Sequence, residues 1–376
     1  MKAVIRGIGV VGGFGTGIST LEKILMDHGP FIESFAVPDG QPLGGEPYAP
    51  VDTRNLKERF SPRSLRRMDH LSRTALLAAA LALEDAADPG GNADTGVAVA
   101  SGYGAVRTTF AFLDTILEAG DAGASPTLFS NSVLNAPAAH ISMHLGARGP
   151  NLTVSRFEMS FSDALSIAVQ WLEEGRAPSV LVGGVDEWCP VLGHCHHRFS
   201  KTRDAAAFLS PFCTGLERAR IAEGAVFFLL SPEMEPASGY GVVESVESGR
   251  LPRDTPTFPK DAVILTGIDS HRDSARPRLP GDHRVVDYTG YYGTLPVGMG
   301  FDMAIASVIV RRGRLFSVPD STGGETVVDG FQTEKAPKIR RACCLNITPS
   351  GAYGLITLAS RPDFSENSRP QGLMKS

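Results

Sequence analysis

The chain has 376 residues, of which 42% are hydrophobic and 20% charged, a balance typical of a protein that buries a large core. Its net charge of −5 argues against a nucleic-acid-binding protein, which would normally carry an excess of basic residues. No apolar run reaches about 18 residues, so no transmembrane helix and no membrane partner are predicted. The five cysteines are odd in number and sparse, which favours reduced thiols and a cytoplasmic protein over a disulfide framework.

In the first half of the chain, predicted strands alternate with predicted helices. The opening MKAVIRGIGVVGGFGTG is interpreted as a strand (3–11) and a glycine-rich turn rather than a signal peptide, because Arg6 interrupts its apolar stretch. Residues 30–62 lack periodicity and predict a surface excursion. Ser61 and Pro62 then suit the start of a helix that we predict to run to about residue 87. Further strands are predicted at 96–101, 151–155 and 178–185, and helices at 105–119 and 159–174, with a loop and a helix ending near Gly146 between them.

The second half repeats this alternation in a shorter form. Strands are predicted at 224–231, 240–247, 261–265, 342–347 and 353–359, and a helix at about 299–312. The tail from about residue 361 is polar and is predicted to be loose. Strands that alternate with helices indicate an α/β fold.

Gly7, Gly9 and Gly12 satisfy the spacing of a dinucleotide-binding turn. That turn needs a helix opening at the third glycine and an acidic residue about 20 residues further on. Another glycine cluster follows here instead. A closely packed corner between strand and loop is therefore favoured over nicotinamide binding.

A dense group of potential metal ligands occupies His194, Cys195, His196 and His197, with Cys189 upstream. Zinc ligands usually come as two spaced pairs, and adjacent histidines rarely converge on one ion. A solvated loop is favoured over a metal site, and no metal or cofactor is predicted.

A short basic run, Lys335, Lys338, Arg340 and Arg341, precedes the last pair of strands. A solvated face is the default interpretation of such a run. The alternative is a docking patch for an acidic carrier protein.

The segment GPNLTVSRFEMSFSDAL predicts a strand, a sharp turn and a helix, the geometry of a nucleophile elbow. The residue expected to face a cavity at the start of that helix is Glu158. The free amides of a helix N-terminus favour a negative charge, so a carboxylate is tolerable there. It is a poor acyl-accepting nucleophile in comparison with a thiolate.

Several segments, in the same order along the chain, resemble the β-ketoacyl-acyl-carrier-protein synthases of the thiolase fold. They are VIRGIGVVGGFGTG, RRMDHLSRTALLAAALALEDA, SNSVLNAPAAHISMHLGARGPNLTVS and AEGAVFFLL. The resemblance covers most of residues 2–360 and is densest at 61–185. It implies a five-layered αβαβα fold of two similar halves, at 1–235 and 236–376, with the second shortened. The long helix that the family places before its first catalytic histidine is replaced by SGRLPRDTPTFPKD.

The family performs decarboxylative condensation with an elbow cysteine, two histidines and a lysine. By resemblance the cysteine position falls on Glu158, the first histidine on Thr266 before Gly267, the second on Tyr291, and the lysine on about Val286. Gly351 in NITPSGAYG loosely matches the family's C-terminal gatekeeper loop. All four catalytic positions have changed together, which would remove the nucleophile, the proton-handling imidazoles and their electrostatic support.

These changes imply a non-condensing subunit similar to a chain-length factor, which pairs with an active ketosynthase and helps to shape the acyl tunnel across their interface. Its partners would be that ketosynthase and, directly or through it, an acyl carrier protein. The setting would be a type II polyketide, polyene or fatty-acid-like synthase. One competing hypothesis is a decarboxylase or acyl hydrolase in which Glu158 acts as a base. Another is a non-catalytic scaffold that forms homodimers.

The resemblance also places the subunit interface between about Phe129 and Ser155. The strand NLTVS would pair antiparallel with its counterpart, and the loop around Asn131–Asn135 would reach toward the partner's active site. Apolar residues in a loop would be exposed in a monomer, so the chain alone is expected to form homodimers or to be poorly soluble. The residues assigned to this interface are Phe129, Asn131, Val133, Leu134, Asn135, Asn151, Thr153 and Ser155.

Overall fold

The structure is a computed structural model that describes residues 2–27, 48–88, 93–200, 221–232, 239–267, 283–319, 325–326, 338–348 and 350–360. Its helices in these ranges are α1 (Ile18–Asp27), α2 (Pro62–Leu65), α3 (His70–Asp85), α4 (Val106–Ala119), α5 (Pro126–Ser132), α6 (Ala136–Leu145), α7 (Ser160–Glu173), α8 (Pro190–Ser200), α9 (Thr289–Tyr292) and α10 (Gly298–Arg312). Its strands are β1 (Ala3–Gly12), β2 (Gly15–Thr16), β3 (Tyr48–Ala49), β4 (Gly96–Ala100), β5 (Asn151–Val154), β6 (Val180–Asp186), β7 (Ile221–Ala222), β8 (Gly224–Pro232), β9 (Val242–Arg250), β10 (Ala262–Thr266), β11 (Arg284–Val286), β12 (Val318–Pro319), β13 (Glu325–Thr326), β14 (Arg341–Ile347) and β15 (Ala352–Ala359).

The large sheet consists of two five-stranded parts with the same strand order. The first runs β1-β8-β6-β4-β5 and the second β9-β15-β14-β10-β11. In each part the strand that comes last in sequence, β8 or β15, is antiparallel to both neighbours, whereas the three outer strands are parallel. The two parts meet where β1 pairs antiparallel with β9, through Ala3 and Val4 opposite Val243 and Val242. The expected thiolase-like α/β fold of two similar halves is confirmed.

Two helices lie between the halves. Helix α7 contacts β4 and β6 of the first half and β9 and β15 of the second, and α10 contacts β14 and β15 as well as β8 and β1. The apolar residues of both helices belong to the main hydrophobic core. Helices α3 and α6 cover the outer face of the first half. The predicted boundary at residues 235 and 236 falls between β8 and β9, outside the described residues.

The outer face of the second half has a different cover. Leu251, Phe258 and Val285 pack against the buried apolar side chains of β10, β14 and β15 there. Residues 251–261 contain no helix, as the replaced segment of the sequence predicted. In the described part of the chain, irregular backbone thus takes the place of an outer helix in this half.

Two glycines of β1 allow close packing against α3. A Cβ on Gly7 would overlap the carbonyl oxygen of Ala82, and one on Gly9 that of Ala78, both in α3. The helix therefore lies directly on the strand: the close packing is confirmed, but at Gly7 and Gly9 it is against a helix and not at a corner between strand and loop.

Two predicted elements differ from the structure. The helix predicted from Ser61 to residue 87 is broken into α2 and α3, because Asp69 accepts a hydrogen bond from the Ser72 amide and caps a new helix. The segment predicted as a loop before α6 contains helix α5, which Ser125 caps through the Leu128 amide. Phe129 and Asn131 therefore lie on a helix, and Val133, Leu134 and Asn135 lie in the connection that follows it.

Candidate functional site: the elbow between β5 and α7

The turn after β5 places Glu158 in a short 3-10 helix, Phe157–Met159, directly before α7. The Ser160 hydroxyl accepts a hydrogen bond from the Arg156 amide at 2.7 Å and donates to the carbonyl of Phe157 at 2.6 Å. Phe157 has φ of +47°, a backbone conformation that is uncommon for a non-glycine residue. The local sequence thus builds the sharp turn that the elbow pattern predicted.

Glu158 is only 8% exposed. Burial raises the pKa of its carboxyl group, and the hydrogen bond from its own amide offsets this only in part. In the part of the chain that the structure describes, no cationic side chain forms an ion pair with it. The Glu158 backbone carbonyl accepts a hydrogen bond from Asn346 of β14, so the second half of the fold holds the elbow in place. A carboxyl group in this setting can exchange a proton, but it is a poor acyl-accepting nucleophile.

The cavity next to Glu158 has a volume of about 40 Å³. Its lining includes Glu158, Gly267, Thr289, Tyr292, Asp302 and Asn346. Cavities that hold small-molecule ligands are typically about 300–1,000 Å³. As it stands, this cavity has room for a water molecule but not for an acyl thioester.

The other three positions assigned from the family lie near the elbow but outside this cavity lining. Thr266 ends β10, and its hydroxyl donates to the carbonyl of Gly267. Tyr291 is buried in α9, and its hydroxyl donates to the carbonyl of Ser317 at 3.0 Å. Val286 is buried in the main core at the end of β11. Gly267 and Tyr292, which follow Thr266 and Tyr291 in sequence, line the cavity instead.

Sequence analysis missed a buried acid that borders the same cavity. Asp302 accepts a hydrogen bond from the Tyr292 hydroxyl at 2.9 Å, and burial raises the pKa of Asp302 to about 8. A single acidic residue in the apolar helix GMGFDMAIASVIV was the available signal. Such a group is neutral over most of the physiological range, and so it is compatible with the apolar core around it.

Sequence analysis also missed Asp186, a buried acid that supports the loop after β4. Asp186 accepts hydrogen bonds from the Ser101 hydroxyl and from the amides of Gly102, Tyr103 and Val297. Burial raises the pKa of Asp186 to about 7, although these donors counteract it. One carboxyl group thus joins β6, the loop after β4 and the start of α10.

The neighbouring residue Glu187 belongs to a buried charged cluster. Burial raises the pKa of Glu187 to about 7. Burial also acts to raise the pKa of Glu223, but hydrogen bonds from His70 and the Val51 amide, with the charge of Arg107, leave that pKa below its usual value. The cluster connects α3, α4 and the residue before β8, and Glu187 also lines a cavity of about 20 Å³ together with Tyr103 and Asp186.

The residues assigned to a subunit interface lie at one end of the sheet. Strand β5 is the outermost strand, and it pairs within the chain only with β4 in the described residues. Phe129 is 57% exposed, and Val133, Leu134, Asn135, Asn151 and Ser155 are also exposed. Thr153 is half-buried. The end of the sheet is therefore an open strand edge beside exposed apolar side chains.

Asn131 differs from the other residues assigned to that interface. It is buried, and its side-chain amide donates to the carbonyls of Arg67 and Thr127. Its side-chain oxygen is 2.9 Å from Nε2 of His140. The side chain therefore holds α5 against the rest of the molecule and is not displayed at the surface.

Two further sequence motifs, the His194–His197 group and the basic run before β14, can be located in the structure. The His194–His197 group lies on helix α8 rather than in a loop, and the described residues contain no group of metal-ligating side chains. In the basic run, Arg341 pairs with Glu244 and Asp261, whereas Lys335 lies outside the described residues.

Gly351 occupies the β14–β15 turn with φ of +83°. In the described ranges, no helix is both long enough and apolar enough to cross a membrane.

The two similar five-stranded halves and the elbow before α7 define a thiolase-like α/β fold. The family model "Beta-ketoacyl synthase, N-terminal domain" matches residues 3–234, and the chain belongs to the β-ketoacyl synthase family. Members of this family are condensing enzymes of the acyltransferase type.

Two sequence relatives illustrate this membership. One, from Streptomyces violaceoruber, is named as a granaticin polyketide β-ketoacyl synthase; it is 27% identical over 311 residues, or 78% of this chain and 73% of the relative. The other is 3-oxoacyl-[acyl-carrier-protein] synthase 2 of Staphylococcus aureus, 24% identical over 309 residues, or 79% of this chain and 74% of the relative.

Solved structures show the same fold. The ishigamide ketosynthase/chain length factor superposes with a TM-score of 0.70 at 18% identity, covering 96% of this chain and 100% of that one. A type II polyketide acyl-carrier protein in complex with its ketosynthase bound to the hexaketide gives a TM-score of 0.69 at 13% identity, covering 96% and 99%.

Proposed function

We propose that this chain is a non-condensing subunit of a type II polyketide, polyene or fatty-acid-like synthase, which pairs with a cysteine-bearing ketosynthase in the manner of a chain-length factor. The observation that carries the proposal is the elbow. A buried carboxyl group, Glu158, takes the place of the nucleophile in a cavity of about 40 Å³. A condensing enzyme needs a nucleophile that accepts an acyl group and a cavity that admits it.

The open edge of β5 supports the pairing part of the proposal. Its free backbone groups can accept a strand from a second subunit, and the exposed Phe129, Val133 and Leu134 beside it offer an apolar surface. Obligate interfaces are typically 2,000 Å² or more and are rich in such side chains. The partner proposed here is an active ketosynthase, through which an acyl carrier protein would deliver substrate. A homodimer is the state proposed for the chain alone.

The second candidate function is a decarboxylase or hydrolase that uses Glu158 as a general base. The raised pKa of Glu158 favours it, because a general base works best with a pKa near the working pH. The small cavity and the absence of an imidazole among its described lining residues favour the first proposal.

The test combines the purified chain, the acyl carrier protein and malonyl groups, with and without a co-expressed, cysteine-bearing type II ketosynthase. The chain alone should neither carry a covalent acyl group, by mass spectrometry, nor release carbon dioxide from malonyl carrier protein. The pair should elute as a 1:1 complex and condense. Glu158→Gln, which keeps the side-chain shape, should leave condensation by the pair within about twofold. If the chain alone releases carbon dioxide and Glu158→Gln abolishes that release, the second candidate function is established instead.

A further inference from the structure

Residues 106–134, which contain α4 and α5 and are called the arm below, have little apolar attachment to the rest of the protein. Thr108 is the one buried residue of α4, and Asn131 is that of α5. No described side chain of the arm belongs to a hydrophobic core of the molecule. Most residues of α3, by contrast, are buried. Burial of an apolar face is what normally stabilises a helix in a protein, and the arm largely lacks it.

The two helices of the arm are joined to each other instead. The rings of Phe112 on α4 and Phe129 on α5 have centroids 5.4 Å apart. The hydroxyl of Thr115 accepts a hydrogen bond from the amide of Ser125, the residue that caps α5. The main contacts of α4 are with α5 and α8, and those of α5 are with α4 and α6. The two helices of the arm thus form one unit.

The two ends of the arm meet at a narrow neck. Gly104 lies directly before the arm with φ of +70°, and a Cβ on this glycine would overlap Cδ2 of Leu134 at the other end. Glycine adopts such a backbone conformation without strain. A segment whose ends lie together can move as a body through changes at a few backbone positions.

The first attachment of the arm to the rest of the molecule is Arg107, at the start of α4. Its guanidinium donates to the carbonyl of Trp188 at 2.6 Å and pairs with Glu223 at 3.4 Å. Its amide donates to Glu187 at 3.1 Å. The Arg107 side chain is partly exposed, so these polar contacts contribute modestly to stability.

The second attachment is Asn131, at the end of α5. Its side-chain amide donates to the carbonyl of Arg67 at 2.7 Å, and its side-chain oxygen is 2.9 Å from Nε2 of His140. Both attachments are therefore polar, and each can be removed by one substitution that leaves the hydrophobic cores untouched.

The solvent side of the arm carries an apolar stripe. Phe110, Leu113 and Leu117 are exposed at helical spacing on one face of α4, and Leu117 is 83% exposed. Phe129, which packs against Phe112, is exposed as well, so the stripe is continuous with the surface proposed for the partner subunit. Contiguous exposed apolar side chains are typical of an interaction surface.

We propose that the arm opens as one unit in the isolated chain and is fixed when the ketosynthase partner covers its apolar stripe. The part that concerns the partner rests on the proposed function, whereas the opening is a property of this chain alone. Opening breaks the contacts of Arg107 and Asn131 but very few hydrophobic contacts with the rest of the molecule. It should therefore cost much less free energy than unfolding of the whole protein.

Hydrogen exchange of the isolated chain, followed by mass spectrometry over a series of protein concentrations, tests the opening. At the lowest concentration, and after correction for intrinsic rates, amides of α4 and α5 should exchange about tenfold or more faster than those of α3 and α7. Exchange in α4 and α5 that is as slow as in α3 and α7 would overturn the opening.

Two variants test whether the arm moves as one unit. Arg107→Gln and Asn131→Ala should each speed exchange in both α4 and α5 by about fivefold or more, and leave α3 and α7 unchanged. Arg59→Gln is the matched control, because Arg59 pairs with Glu84 outside the arm, and it should leave exchange in the arm unchanged. If Arg107→Gln affects only α4 and Asn131→Ala only α5, the helices fray separately and the arm is not a unit.

The same measurement on the complex with a co-expressed, cysteine-bearing type II ketosynthase tests the partner. Exchange in the arm should slow by about tenfold or more, because the apolar stripe is covered. If the complex forms but exchange in the arm stays as fast as in the isolated chain, the partner part is wrong and the proposed function stands.

Two further outcomes separate the remaining possibilities. If no complex forms, the proposed function and the partner part both fail, and exchange in the isolated chain still decides the opening. If the arm is protected only as the concentration of the chain itself rises, a second copy of this chain covers the stripe and the partner part is equally wrong.

Discussion

The two ends of the sheet occupy equivalent places in the topology but have different surfaces. Strand β5 is the outermost strand of the first half, and β11 is that of the second. Asn151 and Leu152 of β5 are exposed, whereas Val286 of β11 is buried and its two preceding residues are half-buried. Duplication of a strand order therefore does not duplicate the surface, because the side chains and flanking segments of each edge decide whether it can accept a partner.

The largest expected effect concerns the exposed end of the sheet. Phe129→Asp and Leu134→Asp should each abolish the 1:1 complex with the ketosynthase and silence condensation, because an unpaired carboxylate in a desolvated interface costs several kcal/mol. Size-exclusion chromatography with light scattering measures assembly. Arg253→Asp, a charge change at a fully solvated site of the second half, is the control and should assemble normally. Normal assembly of both interface variants would refute the assignment of this end as the interface.

The next largest effect is expected on stability, from a substitution that disturbs the packing of β1 against α3. Gly9→Ala should lower the free energy of unfolding by about 3 kcal/mol, because the added Cβ overlaps the carbonyl oxygen of Ala78. Gly120→Ala, at φ of +67° with open space around it, tests backbone strain alone and should lose only about 1 kcal/mol. Urea denaturation measures both. Equal losses would show that close packing of β1 against α3 is unimportant.

The buried acids allow the two halves to be compared through pH. The pKa of Glu187 in the first half is raised to about 7 and that of Asp302 in the second to about 8, so each folded carboxyl group binds its proton more tightly than in the unfolded chain. Their stabilising contribution is complete below the usual carboxyl pKa and is lost as the pH rises through 7 to 8. Glu187→Gln and Asp302→Asn should therefore each stabilise the fold at pH 8, on the order of 2 kcal/mol, and change little at pH 4.5.

Urea denaturation at the two pH values is the measurement, and Glu118→Gln on the exposed end of α4 is the control, expected to be neutral at both. A pH-independent effect of either buried substitution would mean that the carboxyl group is ionised throughout this range.

The smallest effect is expected at the surface of the second half. Arg341 forms ion pairs with Glu244 and Asp261, but its side chain and that of Asp261 are substantially exposed. Arg341→Ala should therefore change the free energy of unfolding by about 1 kcal/mol or less. The same variant tests the basic run as a docking patch. Unchanged affinity for acyl carrier protein, measured by fluorescence anisotropy, would support the solvated-face interpretation.

Local patterns in the sequence determined the elements and their order. The alternation of apolar strands and amphipathic helices predicted the α/β fold, and Ser61 with Pro62 marked a helix start that the Ser64 amide confirms. The elbow was predictable because a strand, a turn and a helix lie within a short segment around Glu158. Such features depend on neighbours along the chain, and those neighbours are visible in the sequence.

Only the tertiary structure decided which residues meet. The burial of Asn131 and the pairing of Tyr292 with Asp302 follow from contacts between separate elements. The size of the cavity at Glu158 is likewise set jointly by α9, α10 and β14, which lie more than a hundred residues away in sequence. Long-range packing carries no periodic signal, and so burial, raised pKa values and the cavity at Glu158 emerged only when both halves were folded against each other.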